Sequence, residues 1–146
     1  MKRNITPYQV FSNSAIQGIM LTMTALIIDT SGPEGVIAHA DKGEIIHSIT
    51  LPQGRELSKN LFSSLQVFDK IKFDFIAVGK GPGTFTGTRV GAITAQALAF
   101  GWNIPLVAFS STLLPDLNEI ALSTYQSFAT GDASPQIELV YISPTT

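Results

Sequence analysis

Residues 78–91 read VGKGPGTFTGTRVG. Its five glycines and one proline lead from an apolar run, 73–78, into a stretch from Thr86 to about Phe100 that is rich in Ala, Thr and Gly. A buried strand, a glycine turn and a helix in that order form the junction on which parallel α/β sheets are built. The turn is sharp because Pro82 fixes φ while the flanking glycines reach positive φ at little cost.

Working outward, residues 24–29 (TALIID) read as a buried strand that ends in a carboxylate, followed by the turn Thr30-Ser31-Gly32-Pro33. Residues 36–40 and the β-branched run 44–51 read as two further strands joined by a tight turn at Asp41-Lys42-Gly43. Leu57, Leu61, Leu65 and Phe68 recur at helical spacing and predict an amphipathic helix over 55–68. After the glycine loop, Trp102-Asn103-Ile104-Pro105 ends the second helix and 106–109 is a strand. Residues 113–128 read as helical, 130–136 as a polar linker and 137–142 (IELVYI) as a last strand. The order β-β-β-α-β-α-β predicts a three-strand meander continued by parallel crossover strands, a mixed sheet with helices on its faces.

The loop meets neither common phosphate-binding pattern. GxxxxGK[ST] fails because Gly79-Lys80 is followed by Gly81, and GxGxxG fails because Thr84 stands at the third glycine. Thr84 or Thr86 can cap the following helix, and its free amides with Asp29, Gly81 and Gly83 are candidates for contact with an anion or nucleotide. Between Phe75 and Pro115 there is no Asp, Glu, His or Cys, so this segment supplies no general base, metal ligand or strong nucleophile. No catalytic residue and no metal ligand is assigned. Asp29 serves either its own turn or a ligand. Gly87, Gly91, Ala95 and Ala99 share one helix face, so another backbone comes close there. That backbone belongs either to this chain's own sheet or first helix, or to a second protein.

The 146 residues carry a net charge of -2 with 45% hydrophobic content, which suits one domain with a sizeable core and argues against a broad nucleic-acid footprint. The absence of cysteine excludes disulfides and thiolate metal sites. His39 and His47, eight apart, have no HxxxH or HExxH spacing and read as solvated or half-buried side chains. Residues 1–22 fit a signal peptide poorly, and the apolar run 19–28 is too short to span a bilayer. They are expected to be a disordered or mis-assigned extension, with Met20 and Met23 as candidate initiators.

The residues Leu26-Ile27-Ile28-Asp29-Thr30-Ser31, the block Gly81-Pro82-Gly83-Thr84-Phe85-Thr86-Gly87-Thr88-Arg89-Val90-Gly91 and Ile104-Pro105-Leu106-Val107 resemble the TsaB (YeaZ) family over roughly 23–112. The resemblance implies an actin-like/RNase H-like lobe over 23–112, with 113–146 as a helix, a linker and the remnant of a second lobe. It implies a non-catalytic subunit of the tRNA threonylcarbamoyladenosine machinery that pairs with a TsaD-like transferase or a second copy of itself. A TsaE-like ATPase acts on that complex, tRNA is reached only through it, and ATP and metal belong to the partners, in the cytoplasm and away from any membrane. Members pair through their first two helices, which makes Leu57, Leu61, Gly87, Gly91 and Ala95 the expected seam. Leu57-Ser58 replaces the family's His-Ser pair, and Thr84 stands where Ser is common. The alternative is an actin-like-fold ATPase or kinase, or a peptidase homologue, acting alone. Phe85 is expected to anchor the loop by burial.

Overall fold

The computed structural model describes residues 23–111 and 116–131. Its elements are β1 (Thr24–Asp29), β2 (Glu34–Asp41), β3 (Glu44–Pro52), α1 (Leu57–Leu65), β4 (Phe75–Gly79), α2 (Phe85–Trp102), β5 (Leu106–Phe109) and α3 (Leu117–Ala129). A 3₁₀ turn, Gln66–Phe68, extends α1. The expected extension 1–22, residues 132–136 of the expected linker and the last strand 137–142 lie outside the described residues.

The five strands form one sheet in the order β3-β2-β1-β4-β5. β1, β2 and β3 pair antiparallel, and β4 and β5 run parallel to β1. The meander closes at Lys42 (φ 52) and Gly43 (φ 84), the two positive-φ positions that match a tight hairpin to strand twist. β4 begins two residues later than its apolar run suggests. Asp74 takes up the preceding position, its amide donating to the Thr24 carbonyl and its carboxylate accepting from the Thr24 amide, both at 2.7 Å.

Side chains alternate across a strand, so one short apolar run feeds two cores. Leu26, Ile28, Ile76 and Val78 face α1 and α2, packing with Leu57, Leu61, Ala95 and Ala99. Ala25, Ile27, Phe75 and Ala77 face α3, packing with Ile120, Ala121 and Phe128. Phe75 stacks on Phe128 with ring centroids 4.4 Å apart. Burial on both faces is why β1 and β4 read as continuous apolar strings with no polar alternation.

The helix ends follow local chemistry. Thr84, not Thr86, caps α2, its hydroxyl oxygen accepting from the Gly87 amide at 3.1 Å. Asn103 closes α2 in the left-handed conformation (φ 56), returning its amide toward the Ala99 and Phe100 carbonyls. Asp116 caps α3 by accepting from the Glu119 amide at 2.9 Å. α1 starts at Leu57, two residues inside the expected span, and its cap residue, Glu56, makes no side-chain capping bond.

Candidate functional site

The carboxyl ends of β1, β4 and β5 meet the glycine loop and the start of α2 at one pole of the sheet. Asp29 ends β1, and its Oδ1 accepts from the Ser31 hydroxyl at 2.6 Å and the Ser31 amide at 3.1 Å. Ser111, beyond β5, lies with its hydroxyl 2.7 Å from that of Ser31 and 3.2 Å from Asp29 Oδ1. Ser111 also ties to the loop through the Gly81 carbonyl (2.9 Å) and the Gly81 amide (3.3 Å). Thr30 donates its buried hydroxyl to the Gly87 carbonyl in the first turn of α2. Gln53, just after β3, donates its amide to the Thr30 and Gly32 carbonyls, each at 2.7 Å.

These bonds explain the glycines. A Cβ on Gly79 would overlap the Asp29 carboxyl group, and one on Gly83 would overlap the Ser31 backbone. On Gly87 it would stand 2.6 Å from the Thr30 carbonyl, and on Gly91 it would overlap the Thr30 hydroxyl. Each missing side chain makes room for part of the 29–31 turn. The loop is a clamp on the end of β1. Space that a phosphate cradle leaves for its ligand is filled here by a carboxylate and a carbonyl, groups that repel anions. At Gly83 the position of a side chain is taken by the Ser31 backbone, and at Thr84 the hydroxyl oxygen accepts the capping bond from the Gly87 amide. Asp29 and Gly81 do come together, through Ser111, in service of the turn. Thr86 is elsewhere, exposed on the outer side of α2.

The expected seam is also corrected. Leu57, Leu61, Gly87, Gly91 and Ala95 are all buried, with Leu57, Leu61 and Ala95 in the core formed with the sheet and Gly87 and Gly91 against Thr30. The backbone that the small-residue stripe admits is this chain's own, at Thr30 directly after β1. Two residues along a helix is a turn of about 200°, so the opposite face of α2 belongs to Phe85, Arg89 and Ile93. Phe85 is 57% exposed and Ile93 54%, and on α1 Phe62 is 67% exposed. The expectation that Phe85 is buried is therefore overturned. The Arg89 guanidinium lies 5.0 Å from the centre of the Phe85 ring. Ser58, Phe85, Thr86, Arg89, Val90, Ile93 and Thr94 line a shallow groove of about 330 Å³.

Sequence reading missed Gln53 and Ser111. Gln53 sits in a Pro-Gln-Gly break that carries no signal beyond a turn, and Ser111 is separated from Asp29 by 82 positions. Among the described residues, no group of three or more His, Cys, Asp or Glu side chains could hold a metal ion, and no helix is long and apolar enough to cross a membrane.

A mixed sheet in 3-2-1-4-5 order, with helices on both faces and a turn clamped at the end of the first strand, defines an actin-like/RNase H-like α/β domain. Its fold is shared by Thermus thermophilus RuvC solved with a Holliday junction substrate (TM-score 0.57, 12% identity, 78% of this chain and 99% of that one). Residues 20–118 match the family model described as TsaD, tRNA N6-adenosine threonylcarbamoyltransferase, and the chain belongs to that family. Within it the chain is similar to the tRNA threonylcarbamoyladenosine biosynthesis protein TsaB of Haemophilus influenzae, 38% identical over 101 residues. That match covers 63% of this chain and 41% of the relative. It is likewise similar to YeaZ from Pseudomonas aeruginosa, with a TM-score of 0.52 and 31% identity over 61% of this chain and 44% of that one. The chain thus spans about two fifths of the length of these TsaB and YeaZ relatives.

Proposed function

We propose that this chain is a non-catalytic subunit of the machinery that makes threonylcarbamoyladenosine in tRNA, and that it works by docking a TsaD-like transferase. The observation that carries the reading is the outward face of α1 and α2. Phe85 and Ile93 leave large apolar surfaces in water in one groove with Arg89, and Phe62 is exposed on α1, the helix that supplies Ser58 to that groove. Aromatic residues with a neighbouring arginine are the side chains that dominate protein interfaces. The names of the TsaB relatives supply the pathway.

The pole at Asp29 offers little chemistry to set against this. Its carboxylate is committed to Ser31 and Ser111, and no acid, histidine or cysteine follows between Phe75 and Pro115. ATP, metal and a TsaE-like ATPase belong to the assembled complex, tRNA is met there, and the whole works in the cytoplasm. A second copy of the chain competes for the same face in the absence of the partner.

Two measurements test the reading. Co-expressed with its cognate TsaD-like protein, the chain co-elutes as a stable complex at micromolar concentration; separate elution removes the main support. Depletion of the chain lowers threonylcarbamoyladenosine in tRNA; an unchanged level refutes the pathway. ATP turnover by the isolated chain, abolished by Asp29→Ala, would favour the ATPase alternative.

A further inference from the structure

At the end of α2 remote from the glycine loop, a cleft of about 400 Å³ opens between that helix and the segment leading into β4. α2 is 18 residues long, which separates the cleft from the clamp by about 27 Å of helix. Trp102 forms one wall. It lies nearly parallel to the buried ring of Phe73, centroids 6.0 Å apart and planes at 24°, yet 46% of its surface stays exposed. Lys70 and Lys72 form the rim with Asp69, and Ile71 and Ile104 complete the lining. Among the described residues the one ion pair joins Lys59 to Glu56, and neither rim lysine forms an ion pair with another described residue.

We infer that this cleft binds a nucleobase together with its phosphate. The volume falls in the range of small-molecule sites. An indole fixed from behind by a second ring is a rigid stacking platform, and base stacking on such a platform is tolerant of sequence. Two unpaired ammonium groups on the rim answer a phosphate and disfavour an uncharged apolar ligand. The Asp69 carboxylate, acceptor only, suits the exocyclic amine of a base. The ligand is either a free mononucleotide or one unpaired nucleotide of an RNA strand. A single-nucleotide site is compatible with the net charge of -2, which forbids only a broad basic footprint. This inference goes beyond the docking role and does not depend on it.

Trp102 is the sole tryptophan of the chain, so its emission reports on this cleft alone. The full chain is titrated with AMP and, separately, with single-stranded hexaadenylate, followed by fluorescence and by calorimetry. Saturable quenching with a matching heat is expected, and Lys70→Ala/Lys72→Ala should weaken binding roughly tenfold. Both lysines are exposed loop residues, so the double variant retains the fold. Equal affinity for the two probes assigns the site to a mononucleotide. Tighter hexaadenylate binding with a steeper salt dependence assigns it to RNA. Absence of saturable quenching and heat with both probes overturns the inference, as does unchanged affinity in the double variant. A chain that still co-elutes with its partner while failing this titration loses the cleft and keeps the docking role.

Discussion

At the scale of single residues, two glycines in α2 give the sharpest contrast. Gly91 faces the Thr30 hydroxyl with no room for a methyl group, whereas Gly101, in the same helix, has nothing within 4 Å of where its Cβ would be. Gly91→Ala should destabilise the domain by about 1–3 kcal/mol through overpacking. Gly101→Ala should stabilise it by about 0.5–1 kcal/mol through helix propensity alone. Chemical denaturation of both variants checks the pair, and equal effects would mean that the clamp is not what fixes Gly91. Asp29→Ala should cost about 1–3 kcal/mol, because the Ser31 amide and hydroxyl lose their acceptor in a residue only 3% exposed. A variant of undiminished stability would return Asp29 to the list of groups held ready for a ligand.

Elements are where the sequence was most legible. β1 and β5 begin and end where their apolar runs do, because both are short strands bounded by turn residues or a helix stop. α1 was overestimated because Phe68 keeps the helical spacing while its backbone tightens into a 3₁₀ turn. Periodicity cannot separate those two ladders. The stripe Gly87-Gly91-Ala95 was visible as a face, but a face does not say what lies against it. Once Thr30 and the end of β1 are known to fill it, the outward position of Phe85, Arg89 and Ile93 follows from helix geometry. The burial expected for Phe85 came from residue type, which does not say on which side of the helix the ring stands. Phe85→Ala and Ile93→Ala should therefore leave stability within about 0.5 kcal/mol of the parent. Association with the proposed TsaD-like partner should weaken by about 2 kcal/mol in at least one of the two variants. Unfolding curves and co-elution measured on the same variants distinguish docking from packing.

For the whole molecule, stability should depend on pH through two groups of opposite sign. His39 on β2 lies edge-on to Phe68 and Phe73, directly across from His47 on β3. Burial lowers its pKa from the ordinary value of 6.5, against the pull of Asp41 and with help from His47. The unfolded chain then binds the proton more readily. The contribution is fully present above 6.5 and is lost as pH falls toward the folded value. Asp74 moves the other way: burial raises it above 3.8, opposed by the Thr24 amide and aided by Asp41. Its buried charge therefore costs stability as pH rises from 3.8 through the folded value. Replacement of His39 by Leu should flatten the decline of stability below 6.5 while leaving the Asp74 limb in place. Denaturant midpoints across that window test it, and an unaltered profile would assign the decline to other groups.

The clamp has an outcome for anyone who scans genomes for activity. Four glycine positions, 79, 83, 87 and 91, are closed to other amino acids by this chain's own atoms. A string that looks like catalytic machinery can therefore be kept as joinery, whatever reaction the chain does or does not serve. Saturation mutagenesis selected only for soluble folding should already recover those glycines, before any selection for tRNA modification is applied.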